Sequence, residues 1–94
     1  MAMRIEWDDA KARINIQRHQ IDFEEAKTVF NDPLLFTFPD ASHSEGEYRY
    51  LSIGQSAYAR TLVVIHTEQQ SVIRIISCRK ATRKERKAYE EGDK

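Results

Sequence analysis

The chain has 94 residues, which fits one domain, and 40% of them are hydrophobic, enough for one modest core. Its single cysteine, Cys78, excludes an internal disulfide and a four-cysteine zinc site, and it suits a reducing compartment. No apolar run reaches the roughly 18 residues of a membrane span, and no signal-peptide pattern precedes Arg4. We therefore predict a cytoplasmic protein without a membrane segment, a single domain over 1–94 with a frayed tail at 91–94.

A formal net charge of zero hides an uneven distribution of charge. Residues 1–47 contain ten acidic residues against five Lys and Arg, whereas residues 74–87 contain seven Lys and Arg against the single acid Glu85. A basic segment of this density is typical of a phosphate-binding surface, although a solvated helix face has the same composition. The pattern favours a polyanionic partner.

The N-terminal part predicts one strand and two helices. Residues 3–7 alternate as a strand does, and Asp8 or Asp9 can cap a first helix that ends near His19. A capping-box pattern at 22–25 begins the second helix, which Pro33 ends. The spacing predicts the following core-facing residues: Trp7, Ala10 and Ile14 around the first helix, and Phe23, Ala26, Val29 and Phe30 on the second.

After Pro33 the hydrophobic period changes from 3.6 to 2. The predicted strands are 34–38, 47–53, 60–67 and 71–79, the last two forming a hairpin through 68–70. The capping-box spacing of Thr82 and Glu85 then predicts a short helix that ends near Glu90. The order β-α-α-β-β-β-β-α predicts an α+β fold, with two helices packed on an antiparallel sheet of about four to five strands and a short C-terminal helix.

Metal-free phosphodiester chemistry fits the available residue types best. His19, His43 and His66 lack the paired spacing of a metal site, and no glycine-rich phosphate loop is present, so neither a metal nor a cofactor is expected. Metal-free RNA cleavage needs a general base, a general acid and cations that stabilise the pentacoordinate phosphorus. The candidates for these roles are Glu47, Arg49, His66, Arg74, Arg79 and Lys80, with Arg83 and Lys84 as further RNA-binding residues.

Several of these residues also have a structural interpretation. Glu47 and Arg49 can form a surface ion pair, and His66 can be a hydrogen-bonded histidine at the core edge. Arg74 stands in the most apolar strand, where a charge is costly unless it is paired or reaches a cleft. Arg79 and Lys80 lie where that strand ends and the last helix begins, so helix N–H groups could add to an anion site. Cys78 is most simply a small buried residue.

Blocks of sequence along nearly the whole chain, in the same order, resemble the BrnT toxin family. These blocks are Glu6-Trp7-Asp8, Arg18 to Ala26, Phe30-Asn31-Asp32-Pro33, Gly46 to Tyr50, Ile53-Gly54, Val64 to Thr67 and Ile73 to Thr82. Two departures are Gln20, where glycine is common, and Cys78, where alanine is common.

The resemblance implies a RelE-like ribonuclease toxin of a type II toxin–antitoxin pair. It also implies a BrnA-like antitoxin that dimerises through a ribbon-helix-helix domain, a 2:2 complex, and operator DNA bound only through the antitoxin. The residue roles rest on chemistry: Arg79, Lys80 and Arg74 stabilise phosphate, Glu47 or His66 transfers protons, and Arg49 clamps the substrate. The alternatives are a non-catalytic nucleic-acid-binding or regulatory protein that uses the same basic edge, or an interaction module of a larger complex.

Overall fold

A computed structural model describes residues 4–40 and 48–92 and confirms the predicted α+β class and the order of its elements. The strands are β1 (Arg4–Trp7), β2 (Phe36–Pro39), β3 (Tyr50–Gln55), β4 (Thr61–Gln69) and β5 (Val72–Lys80). The helices are α1 (Asp9–His19), α2 (Phe23–Thr28) and α3 (Arg83–Glu91), and a single 3₁₀ turn, Val29–Asn31, extends α2.

The strands form one sheet in the order β1-β5-β4-β3-β2. Neighbours from β2 to β5 are antiparallel, as predicted, but β1 pairs with β5 in the parallel direction, so the sheet is mixed. Alternation of apolar residues in 3–7 is the same for either direction of pairing. Only the tertiary path of the chain between β1 and β5 decides it.

The helices α1 and α2 cover one face of the sheet, which we call the core face. The core combines residues of α2 and its flanks with residues of β4 and β5: Ile21, Phe23, Ala26, Val29, Leu62, Val64, Ile75 and Cys78. The predicted apolar face of α2 is therefore confirmed. Burial raises the pKa of the Cys78 thiol to about 12, which fits the prediction of a small buried residue.

The predicted core stripe of α1 is wrong at two of its three positions. Ala10 is exposed and Ile14 is 45% exposed, while Trp7 is half-buried and packs on the core. The one buried residue of α1 is Asn15. This helix is therefore attached to the sheet mainly by a polar side chain, which hydrophobic spacing could not reveal.

The helix caps follow from local sequence. Asp8 accepts the N–H groups of Ala10 and Lys11, and Asp22 accepts that of Glu24. Thr82 and Glu85 form the predicted capping box. Gln20 ends α1 in the left-handed region with φ of 56°, which explains why glycine suits this position.

Among the elements that the structure describes, α3 is the helix on the other face of the sheet, and we call this face the α3 face. Tyr89 of α3 stacks on Phe36, and Glu85 binds Arg79. Register pairs put further residues on this face, among them Glu6, Phe38, Leu51, Ile65, Thr67, Arg74 and Ser77.

Candidate active site

Pairing register places Arg74 and Arg79 on the same face of β5. The two residues are five positions apart, so simple alternation would put them on opposite faces. A bulge changes this, because Ile76 has no partner in the ladder. Arg74 pairs with Thr67 and Arg79 with Val63, residues four apart on β4 that share the α3 face. The bulge thus brings two guanidinium groups to one surface.

Arg74 is not the buried charge that its isoleucine neighbours suggested. Its side chain is 47% exposed, while Ile73 and Ile75 point to the core face. The Nη1 of Arg74 donates to Oε2 of Glu6 on β1 at 2.9 Å. A surface pair of this kind contributes at most about 1 kcal/mol. Among residues 4–40 and 48–92, Glu6 is therefore the one hydrogen-bond partner of the Arg74 side chain, about half of which is exposed to solvent.

Arg79 forms a bidentate ion pair with Glu85, the only acidic residue of the basic segment 74–87. Its Nη1 and Nη2 donate to Oε1 and Oε2 of Glu85 at 2.7 and 2.9 Å. The Arg79 hydrogen bonds lower the pKa of Glu85 to about 2, and Glu85 in turn raises the pKa of Arg79. The same carboxylate accepts the N–H of Thr82 at 2.9 Å. The N–H group of Thr82 is thus already bonded to Glu85. It is therefore less available to an anion than the sequence predicted for the N–H groups at the start of α3.

Lys80 lies on the opposite face from its neighbour Arg79. It pairs with Leu62 of the core face and lines a groove of about 390 Å³ at the end of the sheet. Arg60 and Arg86 line the same groove, together with the carboxylate of Glu90. The structure therefore separates Lys80 from the two arginines of the α3 face.

The remaining predicted residues lie in two places. Arg83 and Lys84 are exposed in the first turn of α3. Arg49 is half-buried just before β3, and its carbonyl accepts the N–H of Asp40 at 2.9 Å, which continues the β2–β3 pairing. Arg49 is two positions before Leu51, which belongs to the α3 face, so the alternation of side chains along the strand assigns Arg49 to the same face. Glu47 lies outside the described residues.

His66 is a core residue in this structure. Its ring is fully buried on the core face, with Nε2 2.7 Å from Oγ of Ser52. The ring meets the edge of Phe30, at a centroid distance of 5.0 Å, and stacks on Tyr50. Burial lowers the pKa of His66 to about 4. Complete burial of the ring favours the hydrogen-bonded histidine over the predicted proton-transfer role.

A partly buried ion pair between Glu25 and Arg60, beside the Lys80 groove, was not predicted. Glu25 is buried in α2, where its carboxylate binds both Nε and Nη2 of Arg60 and accepts the hydroxyl of Ser56 at 2.7 Å. The hydrogen bonds from Arg60 are the main reason that the pKa of Glu25 is lowered. Its position at the end of a capping-box pattern made Glu25 look like a local cap of Asp22, although the pattern gives no sign of a partner 35 residues away.

Residues 4–40 and 48–92 contain neither a metal-binding cluster nor a membrane-spanning helix. That part of the chain brings together no group of three His, Cys, Asp or Glu side chains able to hold a metal ion. It also contains no helix with the length and apolar character needed to cross a membrane.

Both the fold and the sequence of this chain are similar to those of known proteins. A solved structure, the 1.1 Å crystal structure of the Brucella abortus ribonuclease toxin BrnT, is similar to the fold described above, with a TM-score of 0.67 and 26% sequence identity. The match covers 87% of this chain and 100% of that one. No curated protein matches the sequence. The family model described as the ribonuclease toxin BrnT of type II toxin–antitoxin systems matches residues 7–85, in agreement with the resemblance noted in the sequence. The chain therefore belongs to the BrnT family of ribonuclease toxins.

Proposed function

We propose that this chain is a metal-independent endoribonuclease whose RNA substrate lies on the α3 face of the sheet. The observation that carries the proposal is the bulge at Ile76, which aligns Arg74 and Arg79 on one surface. Guanidinium groups present planar forks that match phosphate oxygens, and they can stabilise the charge that develops on a phosphorane.

Each arginine contributes differently to this site. Arg74 is exposed and retains donors beyond its bond to Glu6, so it can bind the phosphate directly. Arg79 is fixed at the strand end by Glu85, and a substrate phosphate would compete with that carboxylate for the same fork. Arg49 is assigned to the same face of the sheet, and its proposed role is to hold the substrate in position.

A carboxylate is the proposed general base, because the buried ring of His66 is out of reach. Glu6 is 40% exposed on the α3 face and directly bonded to Arg74. Glu47, two positions before Arg49, remains the second candidate. Either group can take the proton of a ribose 2′-OH while the arginines hold the phosphate.

Lys80, Arg83 and Lys84 are proposed to bind flanking RNA rather than the reacting phosphate. Lys80 faces the groove on the opposite side from Arg79, and the two α3 residues are exposed. Their role is electrostatic attraction of the RNA backbone, which weakens as salt concentration rises.

Purified protein is expected to cleave RNA in the presence of EDTA, and Arg74→Ala should lower that rate about 100-fold. Arg74→Ala removes an exposed side chain, so it should fold normally. Arg79→Ala is less suitable because it also removes the ion pair that links Glu85 of α3 to β5. The matched control is Arg13→Ala, which removes an exposed arginine from α1.

Three results would reject parts of this proposal. Activity that is lost in EDTA and restored by magnesium would reject the metal-free mechanism. Binding of RNA without any cleavage would leave a non-catalytic nucleic-acid-binding protein. Equal activity of Arg74→Ala and Arg13→Ala would reject the α3 face as the site.

We also propose that a BrnA-like antitoxin restrains the toxin in a 2:2 complex, with operator DNA bound only by the antitoxin. Four exposed Lys and Arg residues of α3 form a basic surface that an acidic partner can cover: Arg83, Lys84, Arg86 and Lys87. Ribbon-helix-helix domains pair with one another, so two toxins per antitoxin dimer is the expected stoichiometry. Light scattering of the co-expressed pair measures this mass, and an operator shift assay on each component locates DNA binding. Specific operator binding by this chain alone would contradict the division of roles.

A further inference from the structure

Three aromatic rings form a row along the β2 edge of the α3 face. Tyr89 and Phe36 are stacked with a centroid distance of 6.4 Å and an interplanar angle of 18°. Phe36 and Phe38 continue the row at 6.1 Å and 22°. The hydroxyl of Tyr89 donates to Asp32, which also accepts the N–H groups of Leu34 and Gln55, so one end of the row is fixed.

At the other end of the row, Phe38 has no further aromatic neighbour among the residues that the structure describes. Phe38 is 42% exposed, although it lies in a strand with its side chain directed to the same face as Phe36. Within residues 4–40 and 48–92, Phe36 is the one aromatic partner of Phe38. An exposed ring that is held parallel to a second ring presents a flat surface on which a further planar group can stack.

This surface lies beside the arginines of the proposed active site. The register connects Phe36 through Ile53 and Val63 to Arg79 in one row across the sheet. Three strand spacings of about 4.8 Å separate the backbones of Phe36 and Arg79 by about 14 Å. A short single strand can therefore place a phosphate at the arginines and a neighbouring base at the aromatic row.

We propose that Phe38 is a base-stacking platform for single-stranded RNA, with Phe36 and Tyr89 as its rigid support. This inference rests on the proposed ribonuclease function and adds to it a substrate class, because bases within a duplex are not free to stack on a side chain. Aromatic rings beside guanidinium groups fit a nucleic-acid strand, because its bases can stack on the rings while its phosphates bind the guanidinium groups.

The first test is the kinetics of Phe38→Ala. Loss of one stacking contact should raise KM for a single-stranded RNA about 10- to 100-fold, with a smaller change in kcat, because the ring does not touch the reacting phosphate. Leu34→Ala is the matched control, since Leu34 is 69% exposed just before β2 and lies outside the aromatic row. Thermal melting of both variants checks that the fold is intact.

The second test is direct binding with Phe38→Trp, which should retain activity. A single-stranded RNA hexanucleotide should quench the added tryptophan fluorescence beyond the change seen with Trp7 alone in the parent protein. Neither a ribose-phosphate hexamer without bases nor an RNA duplex should quench this added fluorescence. This readout does not depend on turnover, so it separates the platform from the proposed function.

The outcomes are distinct. If the parent protein cleaves RNA but Phe38→Ala has an unchanged KM, the platform is wrong and the proposed function stands. If cleavage fails but the hexanucleotide still quenches Phe38→Trp, the platform stands and the catalytic proposal falls. If Phe38→Ala weakens only the complex with the antitoxin, the row is a protein-docking surface and the inference is overturned.

Discussion

Asn15→Ala is expected to destabilise the fold by about 4 kcal/mol, because it leaves several buried backbone groups without partners. The Nδ2 of Asn15 donates to the carbonyls of Ile21 and Cys78 at 3.0 and 2.9 Å, and Oδ1 accepts the N–H of Cys78 at 3.0 Å. All three bonds are buried. One side chain therefore attaches α1 to β5 and to the segment that leads into α2.

The effect is large relative to the stability of a domain of this size, which is about 5–15 kcal/mol. We expect the melting temperature of Asn15→Ala to fall by about 20 °C. The controls are Ile14→Ala and Ile16→Ala, which flank the site on the same helix and remove side chains that are each 45% exposed. Each of these two substitutions should lower the free energy of unfolding by less than about 1.5 kcal/mol. A melting temperature of Asn15→Ala within the range of the two controls would show that the hydrogen bonds of Asn15 contribute little.

The elements that sequence predicted well are those with local physical causes. Asp22 and Thr82 accept N–H groups within three residues of themselves, so their signals can be read from the chain without knowing the fold. The apolar residues of α2 fall on one face at helical spacing, and that face is the buried one. The β4–β5 hairpin was also predicted, but its turn lies at Gln70 and Ser71 rather than at 68–70, and their positive φ angles of 51° and 66° fit a type I′ turn.

The parts of the candidate site that sequence missed depend on long-range pairing. Arg74 and Arg79 share a face only because the β4–β5 ladder contains a bulge at Ile76. No residue in that strand marks the bulge, since Val72 to Ile76 contains four apolar residues that fit either register. For the same reason, alternation assigned Arg74 to a buried strand without showing which side of the strand faces solvent.

Titratable residues were the hardest to assign from sequence. Glu25 and Glu85 both occupy the third position of a capping-box pattern, but only Glu85 bonds back to its cap residue. Glu25 is instead buried and forms an ion pair with the partly exposed Arg60, and His66 is buried against Phe30. Burial and partners decide the chemistry of such groups, and both come from residues distant in sequence.

Stability is expected to fall by about 3 kcal/mol as pH decreases from about 6.5 to 4, because of His66. Burial lowers the pKa of this residue from 6.5 to about 4. In that interval the unfolded chain takes up a proton on His66 that the folded protein excludes. The contribution of the neutral ring is therefore fully present above pH 6.5 and is lost as pH falls toward 4. The carboxylate of Glu68 lies 3.6 Å from Nδ1, which is within ion-pair distance but beyond a hydrogen bond.

Denaturant unfolding at pH 7.5, 6.0, 5.0 and 4.5 measures this loss directly, and His66→Gln should remove most of it because the amide does not titrate. His19→Gln is the matched control, since His19 lies at the end of α1 outside the core, and its pH profile should follow the parent protein. Carboxylates that are stabilised in the fold affect stability at lower pH. Arg79 lowers the pKa of Glu85 from 4.5 to about 2, so the contribution of Glu85 to stability is lost only below about pH 4.5. An unchanged slope above pH 4.5 in His66→Gln would show that the ring of His66 is accessible to protons in the folded protein, and it would restore His66 as a candidate for proton transfer.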